Sequence, residues 1–252
     1  MSWRTLVKDW LLKRGMIISR PPGQFTVHAY KLGAAKARGL EVRSALDGGA
    51  ARGDWMRGIR QTFPDAEVLA VEPRDEVQTE LRAVQAELGR IKIAKTLLGA
   101  TPGEANFYLD GDSSSVNQEF AGGTAGVRMP VTTIDQLVQS LEFPYPDLIK
   151  LDLQGAELDA LAGAGECLKR AKAVLLEVSF LPFEKEMPLI ADVLWFMKDK
   201  GYVAYDVLGL WHRPLDGAMA QGDILFVPEE SPLRADHRYW LPESASNRAG
   251  VS

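Results

Sequence analysis

The sequence predicts an α/β fold built on a doubly wound, mostly parallel β-sheet, and three observations support this prediction. Strand-like and helix-like segments alternate from about residue 43 to residue 201, a pattern typical of parallel strands joined by helical crossovers. A glycine-rich turn, "DGGAARG" at residues 47–53, joins the first of these strands to a helix. The chain has 252 residues, 46% of them hydrophobic, which is enough for one domain with a full core.

Helices are predicted on both sides of the glycine-rich turn. The first lies within residues 1–20 and places five apolar side chains on one face, which we expect to pack on the domain: Trp3, Leu6, Val7, Trp10 and Leu11. The other helices are predicted at residues 27–40, 53–63, 74–88, 155–170 and 188–201. The strands are predicted at residues 43–47, 66–73, 91–98, 147–154, 171–180, 202–209 and 223–228. This order divides the chain into an N-terminal helical extension (1–40), one domain (41–228) and a C-terminal tail (229–252).

One segment, residues 99–133, interrupts the alternation. It reads as a hairpin, a Ser/Gly-rich loop and a short extended piece. Long loops in compact domains are often lids or binding loops, and Ser114 lies in this one. The segment is therefore either a lid over a binding site or a surface excursion, and the first interpretation is preferred.

The composition excludes several classes of function. A net charge of −5 and a pI of about 5.4 give no basic face for nucleic acid. Cys167 is the only cysteine, so an internal disulfide and a multi-cysteine zinc site are excluded. Charges run through the first twenty residues, which argues against a signal peptide or an integral membrane segment. We expect a soluble cytoplasmic protein, and the sequence leaves its oligomeric state open.

Carboxylates occur near the ends of four predicted strands. Asp47 and Glu72 end the first two, and Asp152 and Glu177 lie near the ends of two later ones. Ligands of open parallel sheets bind at the carboxyl ends of the strands, and charges on covered central strands are rare unless they are satisfied. The four carboxylates therefore predict a polar crevice at this edge.

The glycine-rich turn indicates which ligand the crevice binds. Its spacing, Asp47-x-Gly49-x-x-x-Gly53, has Ala51 where dinucleotide sites place a second glycine, and it lacks the Gly-Lys-Ser/Thr of a phosphate-binding P-loop. Asp47 would also repel phosphate. S-adenosylmethionine fits better, since it carries an ammonium and a sulfonium but no phosphate, and Glu72 is placed to accept hydrogen bonds from ribose hydroxyls.

Asp47 is expected to serve the methionine ammonium of this cofactor, directly or through water. Methyl transfer removes the sulfonium charge, so a carboxylate at the sulfur would stabilise the ground state more than the transition state. The full set of candidate cofactor-binding residues is Asp47, Gly48, Gly49, Gly53, Glu72, Pro73, Leu98, Ser114, Asp152 and Gln154.

Five stretches together resemble the FkbM-type S-adenosylmethionine-dependent methyltransferases: "DGGAARGDW", "VLAVEP", "VTTIDQL", "DLIKLDLQGAELDALAGAGECL" and "VLLEVSF". The resemblance runs from about Ser44 to Val227. It implies a Rossmann-like class I methyltransferase fold, with a seven-stranded sheet whose last strand is antiparallel. It also implies O-methylation, often of a sugar or natural-product hydroxyl.

An alcohol acceptor benefits from a general base, and Asp152 is the first candidate. Lys150, Asp152 and Gln154 share one face of their strand, so the alternative is a Lys150–Asp152 pair that satisfies itself. Glu177 and His212 are the other catalytic candidates. Asp152 and Glu177 could together hold Mg²⁺, but two carboxylates make a thin site for a hard cation, and no metal site is predicted.

Two other functions remain open at this point. One is an oxidoreductase that depends on NAD or a nucleotide sugar, which Asp47, Ala51 and the absence of a Tyr-x-x-x-Lys pair disfavour. The other is a non-catalytic binding module with a degenerate cofactor site. Its only support is Ala100 and the unusual turn, which places Arg52 beside the cofactor. The preferred function is an O-methyltransferase acting on a hydroxyl of a sugar, glycan or secondary metabolite.

Overall fold

The computed structural model describes residues 24–108, 126–183 and 187–238. The helix predicted within residues 1–20, Ser114 in the long loop and the last part of the predicted tail lie outside these residues. Among the described helices, none is both long and apolar enough to cross a membrane.

Seven strands form the main sheet, in the order β3-β2-β1-β7-β8-β10-β9. They are β1 (Ser44–Gly48), β2 (Glu67–Val71), β3 (Ile91–Ala94), β7 (Leu148–Leu151), β8 (Ala173–Ser179), β9 (Tyr202–His212) and β10 (Met219–Pro228). Neighbouring strands pair in parallel from β3 to β8, whereas β10 runs antiparallel to both β8 and β9. The predicted doubly wound, seven-stranded sheet with an antiparallel last strand is confirmed.

The described parts of the segment that interrupts the alternation belong to a second sheet of three strands. Its strands are β4 (Leu97–Leu98), β5 (Gly103–Phe107) and β6 (Val127–Thr132), in the order β4-β6-β5. The single strand predicted at 91–98 is therefore wrong: its first half pairs with β2 and its second half with β6. The Thr96 hydroxyl, which donates to the Pro130 carbonyl at 2.9 Å, fixes the point of division.

Seven helices lie in the described residues: α1 (Gln24–Ala37), α2 (Asp54–Thr62), α3 (Gln78–Leu88), α4 (Ile134–Ser140), α5 (Glu157–Ala162), α6 (Gly165–Leu168) and α7 (Ile190–Asp199). The predicted end of α1 at residue 40 is too late, because Gly39 takes a left-handed φ of 109° and its N–H bonds back to the helix.

The single helix predicted at 155–170 is two helices. Gly163 ends α5 so close to the Gly99 carbonyl that a Cβ at residue 163 would lie 2.3 Å from that oxygen. The Asp135 carboxylate then accepts the N–H groups of Glu166 and Cys167, at 2.8 and 2.9 Å, and so satisfies the start of α6. The division into two helices is therefore caused by contacts with distant parts of the chain, which the local sequence does not reveal.

Helices cover both faces of the sheet, and each face has its own core. Helices α4 to α7 pack on one face, around Leu46, Ile149 and Leu176. Helices α1, α2 and α3 pack on the other face, around Ala45 and Leu175. The strands are thus buried on both sides, and their carboxyl ends are where polar groups can reach a ligand.

Candidate active site

A cavity of about 370 Å³ opens at the carboxyl edge of the sheet, among the turns that follow β1, β2 and β7. Its size is within the range of small-molecule sites. Seven of the residues predicted for the site line it: Gly49, Glu72, Pro73, Leu98, Asp152, Gln154 and Glu177. The structure therefore brings together carboxylates that lie far apart in the sequence, as the strand-end argument predicts.

The glycine-rich turn comes very close to the end of β7. Gly49 has a φ of 75°, and a Cβ there would lie 2.0 Å from the Asp152 carbonyl oxygen. Ala51 also has a positive φ, 46°, and its N–H donates to the Glu72 carboxylate at 2.8 Å. The conformation of the turn therefore depends on the Glu72 carboxylate, which directly follows β2, as well as on its own glycines.

Gly48 and Gly53 shape this turn without lining the cavity. Gly53 precedes α2 with a φ of 83°, and a Cβ there would crowd the Met56 and Val84 side chains. A Cβ on Gly48 would lie 2.6 Å from the Leu151 side chain. Both glycines permit close packing between elements.

Asp47 is fully buried beside the turn, outside the cavity lining. Lys150 Nζ lies 3.2 Å from Asp47 Oδ1 and donates to the Gly49 carbonyl at 3.2 Å. Apart from this ion pair, neither Asp47 oxygen accepts a hydrogen bond from the part of the chain that the structure describes. Burial raises the pKa of Asp47 to about 6, although the Lys150 ammonium opposes the rise.

Glu72 is the most heavily bonded carboxylate of the site. Its Oε1 accepts the Arg74 N–H at 3.0 Å and Arg74 Nε at 2.9 Å. Its Oε2 accepts the Ala51 N–H, and Arg74 Nη2 lies 3.4 Å away. A carboxylate has about four acceptor positions, so the Arg74 side chain occupies positions that the ribose hydroxyls of a cofactor would use.

Asp152, Gln154 and Glu177 form a hydrogen-bonded group at the other side of the cavity. Gln154 has a left-handed φ of 53°, and its Nε2 lies 3.0 Å from Asp152 Oδ1 and 3.1 Å from Glu177 Oε2. Gln221 of β10 donates to the same Glu177 oxygen at 2.9 Å. Lys150 Nζ lies 3.6 Å from Asp152 Oδ2, so this lysine pairs with two carboxylates at once.

The two candidate bases have different surroundings. Burial, followed by the neighbouring charges of Asp152 and Asp223, raises the pKa of Glu177 well above its usual range. The Asp152 side chain is 25% exposed and has the Lys150 ammonium beside it. Burial alone would lower the pKa of Lys150, but Asp47 and Asp152 outweigh it and raise that pKa. The Lys150 ammonium therefore lies between Asp47 and Asp152.

Glu157, at the start of α5, fixes the loop that carries Gln154. Its carboxylate accepts the Leu153 N–H at 2.7 Å and the Gly155 N–H at 3.1 Å. Burial raises the pKa of Glu157 to about 7, against these hydrogen bonds. Arg74 and Gln221 are the partners that sequence reasoning missed, and no periodicity or spacing signals them.

His212 is not brought to the cavity. It ends β9 at the carboxyl edge of the sheet, but it is exposed and does not line the cavity. Its catalytic role stays a prediction without a structural contact.

No group of three or more His, Cys, Asp and Glu within residues 24–108, 126–183 and 187–238 is arranged to hold a metal ion. Gln154 Nε2, a donor, lies between Asp152 and Glu177, where the hypothetical Mg²⁺ would bind.

The chain matches the family model of the methyltransferase FkbM domain over residues 47–204. This range includes the glycine-rich turn on one side of the cavity and the catalytic candidates Asp152 and Glu177 on the other. It begins at Asp47 and includes the loop after β7, so it covers stretches on which the resemblance was based.

Three individual proteins are similar to the chain at low identity. The chain is 25% identical over 173 residues to the 2-O-methyltransferase NoeI of Sinorhizobium fredii, covering 59% of this chain and 70% of that protein. A methyltransferase FkbM structure from Methylobacillus flagellatus aligns with a TM-score of 0.48 at 18% identity, over 72% of this chain and 43% of that one. Magnesium protoporphyrin IX methyltransferase from Synechocystis, solved with bound S-adenosylmethionine, aligns with a TM-score of 0.49 at 13% identity, over 90% and 98%.

Proposed function

The chain belongs to the FkbM family of S-adenosylmethionine-dependent methyltransferases, and we propose that it transfers the methyl group to a hydroxyl of a sugar, glycan or secondary metabolite. One observation carries the choice of a hydroxyl: a part-exposed carboxylate, Asp152, stands at the cavity wall beside a fixed cation, Lys150. The similarity to a 2-O-methyltransferase supports the same choice.

The residues of the cavity fit the cofactor. Gly49 lines the cavity with backbone atoms only, and Glu72 supplies a buried carboxylate. Beyond the Lys150 pair, the Asp47 oxygens accept no hydrogen bond from residues 24–108, 126–183 and 187–238. In the proposed complex Glu72 holds the ribose, the backbone at Gly49 lies against the cofactor, and Leu98 and Pro73 supply apolar wall. The remaining predicted cofactor contacts, at Gly48, Gly53 and Ser114, stay predictions.

When bound, S-adenosylmethionine supplies an electrophilic methyl group on a sulfonium. The chain must then orient the acceptor, exclude water and take the hydroxyl proton. Asp152 is the proposed proton acceptor. Gln154 restrains its Oδ1, and the Lys150 ammonium lies 3.6 Å from its Oδ2. Glu177, whose burial raises its pKa, is proposed to hold Gln154 in place.

Asp47 is proposed to bind the methionine ammonium and to stay away from the sulfur. Because Asp47 is outside the cavity lining, a water-mediated contact agrees better with the structure than a direct one. An Asp47→Asn variant is then expected to lose cofactor affinity and to keep most of its maximal rate at saturating cofactor. A large loss of rate at saturation would contradict this role.

An acceptor screen tests the proposed function. The full chain is incubated with S-adenosylmethionine and saccharides, glycans and hydroxylated natural products, and release of S-adenosylhomocysteine is measured. We expect turnover with a hydroxyl compound and a rate loss of about a hundredfold or more in Asp152→Asn. The matched control is Asp159→Asn, because Asp159 is exposed on α5 and outside the cavity. Methylation only of amines or thiols would overturn the proposal.

Three further properties of the chain are part of this proposal. The chain is divided into residues 1–40, 41–228 and 229–252, it is located in the cytoplasm, and its activity does not need Mg²⁺. We expect turnover to continue in the presence of EDTA. The chain spans 43% of the matched Methylobacillus structure.

A further inference from the structure

Lys150 is the buried cation of the candidate active site. It is 5% exposed, yet it lines the cavity near the end of β7. Its Nζ lies 3.2 Å from Asp47 Oδ1 and 3.6 Å from Asp152 Oδ2, and it donates to the Gly49 carbonyl at 3.2 Å. An ammonium that is buried and also borders a cavity attracts an anion in that cavity more strongly than an ammonium in water does.

The hydrogen-bond geometry of Lys150 leaves one donor for a ligand. An ammonium carries three N–H groups. One donates to the Gly49 carbonyl, and a second is placed to serve Asp47. The third close partner in the part of the chain that the structure describes is Asp152, whose 3.6 Å separation is longer than the roughly 2.7–3.2 Å of an ordinary hydrogen bond. Lys150 can therefore donate to a ligand and keep its two shorter contacts.

Asp47 and Lys150 match the charges at one end of the cofactor. The methionine end of S-adenosylmethionine carries an ammonium and a carboxylate on the same carbon atom. Its partners must therefore be a carboxylate and a cation that lie side by side. Asp47 and Lys150 stand in register on the neighbouring strands β1 and β7, with their charged atoms 3.2 Å apart. The ion pair is thus complementary to the two charges of the methionine end.

The order of the strands places this ion pair where the methionine arm is expected. Glu72, the proposed ribose partner, follows β2, and β1 lies between β2 and β7. A cofactor whose ribose is bound at Glu72 reaches β7 with either its adenine or its methionine arm. The edge at β7 carries Lys150 and Asp152 and has Asp47 beside it. Such an edge suits the charged methionine arm better than the uncharged adenine.

Two arginines also line the cavity, but they are less suited to this carboxylate. Arg74 bonds Glu72 through its Nε at 2.9 Å. Arg52 is exposed on the glycine-rich turn, where water weakens its attraction for an anion. Lys150, by contrast, is buried next to Asp47, the proposed partner of the neighbouring ammonium.

We propose that Lys150 binds the methionine carboxylate of S-adenosylmethionine, beside the ammonium that Asp47 serves. The carboxylate accepts an N–H of Lys150 as a charge-assisted hydrogen bond in a buried setting. The charged groups on either side of this cation, Asp47 and Asp152, are carboxylates that repel an anion, so recognition of the methionine carboxylate depends on Lys150. This inference rests on the proposed placement of the cofactor, with its ribose at Glu72.

Two ligands that differ by one carboxylate test the proposal. Decarboxylated S-adenosylmethionine keeps the adenosine, the sulfonium and the ammonium and lacks only the carboxylate. The dissociation constants of both compounds are measured by calorimetry on the full chain at pH 7.5. We expect S-adenosylmethionine to bind about tenfold or more tightly than the decarboxylated compound. Without a cation at this position, the carboxylates of the site would favour the decarboxylated compound, which has one more net positive charge.

Substitutions assign this preference to Lys150. Lys150→Gln is measured alone and in an Asp47→Asn background, because the single variant leaves Asp47 buried without its cation. We expect Asp47→Asn to weaken both compounds equally and keep the preference, and both variants that carry Lys150→Gln to lose it. Lys172→Gln is the matched control: it also removes a lysine–aspartate pair, with Asp147 at 3.0 Å, outside the cavity lining. This control should keep the preference.

Two results would overturn the proposal. One is equal or tighter binding of the decarboxylated compound to the unsubstituted chain. The other is a preference that persists in the Lys150 variants and is lost in Arg52→Gln, which would make Arg52 the partner of the carboxylate. Failure of the proposed function is visible elsewhere, as absence of hydroxyl methylation in the acceptor screen. Failure of the proposed cofactor placement is visible as an unchanged affinity in Glu72→Gln.

Discussion

Among single residues, Asp47 is expected to make cofactor binding depend on pH. Burial raises its pKa to about 6, so at pH 5 only about a tenth of the molecules carry an ionised Asp47. If the methionine ammonium needs that charge, the dissociation constant for S-adenosylmethionine rises about tenfold between pH 7 and pH 5. Calorimetry at both pH values measures this. In Asp47→Asn the affinity should be weak at both; an equal pH dependence in the variant would assign the effect to another group.

Arg74 is expected to compete with the cofactor for Glu72. Its guanidinium bonds both oxygens of the carboxylate that is proposed to bind the ribose hydroxyls. Arg74→Ala should therefore tighten binding of S-adenosylhomocysteine by about tenfold or more, given that hydrogen bonds to charged groups contribute about 1.5–3 kcal/mol. Arg57→Ala, whose guanidinium bonds Glu87 outside the cavity lining, is the control. Weaker binding in Arg74→Ala would mean that this arginine contacts the cofactor itself.

The sequence predicts the carboxylates of the site better than their partners. Asp47, Glu72, Asp152 and Glu177 could be found because each comes near the end of a recognisable strand, and parallel strands bring their ends to one edge. Gln221 could not, because its partner Glu177 is 44 residues away, and nothing local in either segment signals the contact. The Arg74–Glu72 bond is close in sequence, but it depends on a side-chain direction that a pattern of residue types does not contain.

At the scale of the element, the turn after β1 depends on Gly49. A Cβ at this position would lie 2.0 Å from a backbone oxygen of Asp152, and the φ of 75° disfavours any other residue. Gly49→Ala should lower the free energy of unfolding by about 2 kcal/mol or more and abolish cofactor binding. Gly33→Ala is the control, since a Cβ there meets nothing within 4 Å in the middle of α1. Thermal unfolding and calorimetry distinguish them; normal cofactor binding by a folded Gly49→Ala chain would contradict this account of the turn.

The predicted ends of strands and helices are wrong where contacts with residues distant in the sequence determine them. Periodicity identifies the apolar run at residues 91–98, but β2 and β6 compete for its two halves. The helical pattern at 155–170 is continuous, yet the carbonyl of Gly99 and the carboxylate of Asp135 divide it. Local propensity therefore gives the type of these elements, and tertiary contacts give their ends.

At the scale of the whole molecule, buried acids make the cofactor-free chain more stable at mildly acidic pH. Burial raises the pKa of Asp47 from 3.8 to about 6 and that of Glu157 from 4.5 to about 7. Between these values the folded chain binds more protons than the unfolded chain, so the free energy of unfolding falls as pH rises from about 4 to 7. A pKa rise of about two units corresponds to about 3 kcal/mol.

Urea unfolding at pH 5 and pH 7.5 measures this difference. The chain should be more stable at pH 5, and a variant carrying both Asp47→Asn and Glu157→Gln should lose most of the difference. Asp159→Asn, on the exposed surface of α5, should keep it. Greater stability at pH 7.5 in the unsubstituted chain would show that neither buried carboxyl is protonated in the folded state.

The cavity at the carboxyl ends of β1, β2 and β7 is proposed to be the S-adenosylmethionine site. Calorimetric titration of the full chain with S-adenosylmethionine, S-adenosylhomocysteine and NAD, repeated on Glu72→Gln, is the decisive experiment. We expect both sulfur compounds to bind, NAD not to bind, and Glu72→Gln to weaken binding of both sulfur compounds by about tenfold or more. Absence of binding by the sulfur compounds, or an unchanged affinity in Glu72→Gln, would contradict it.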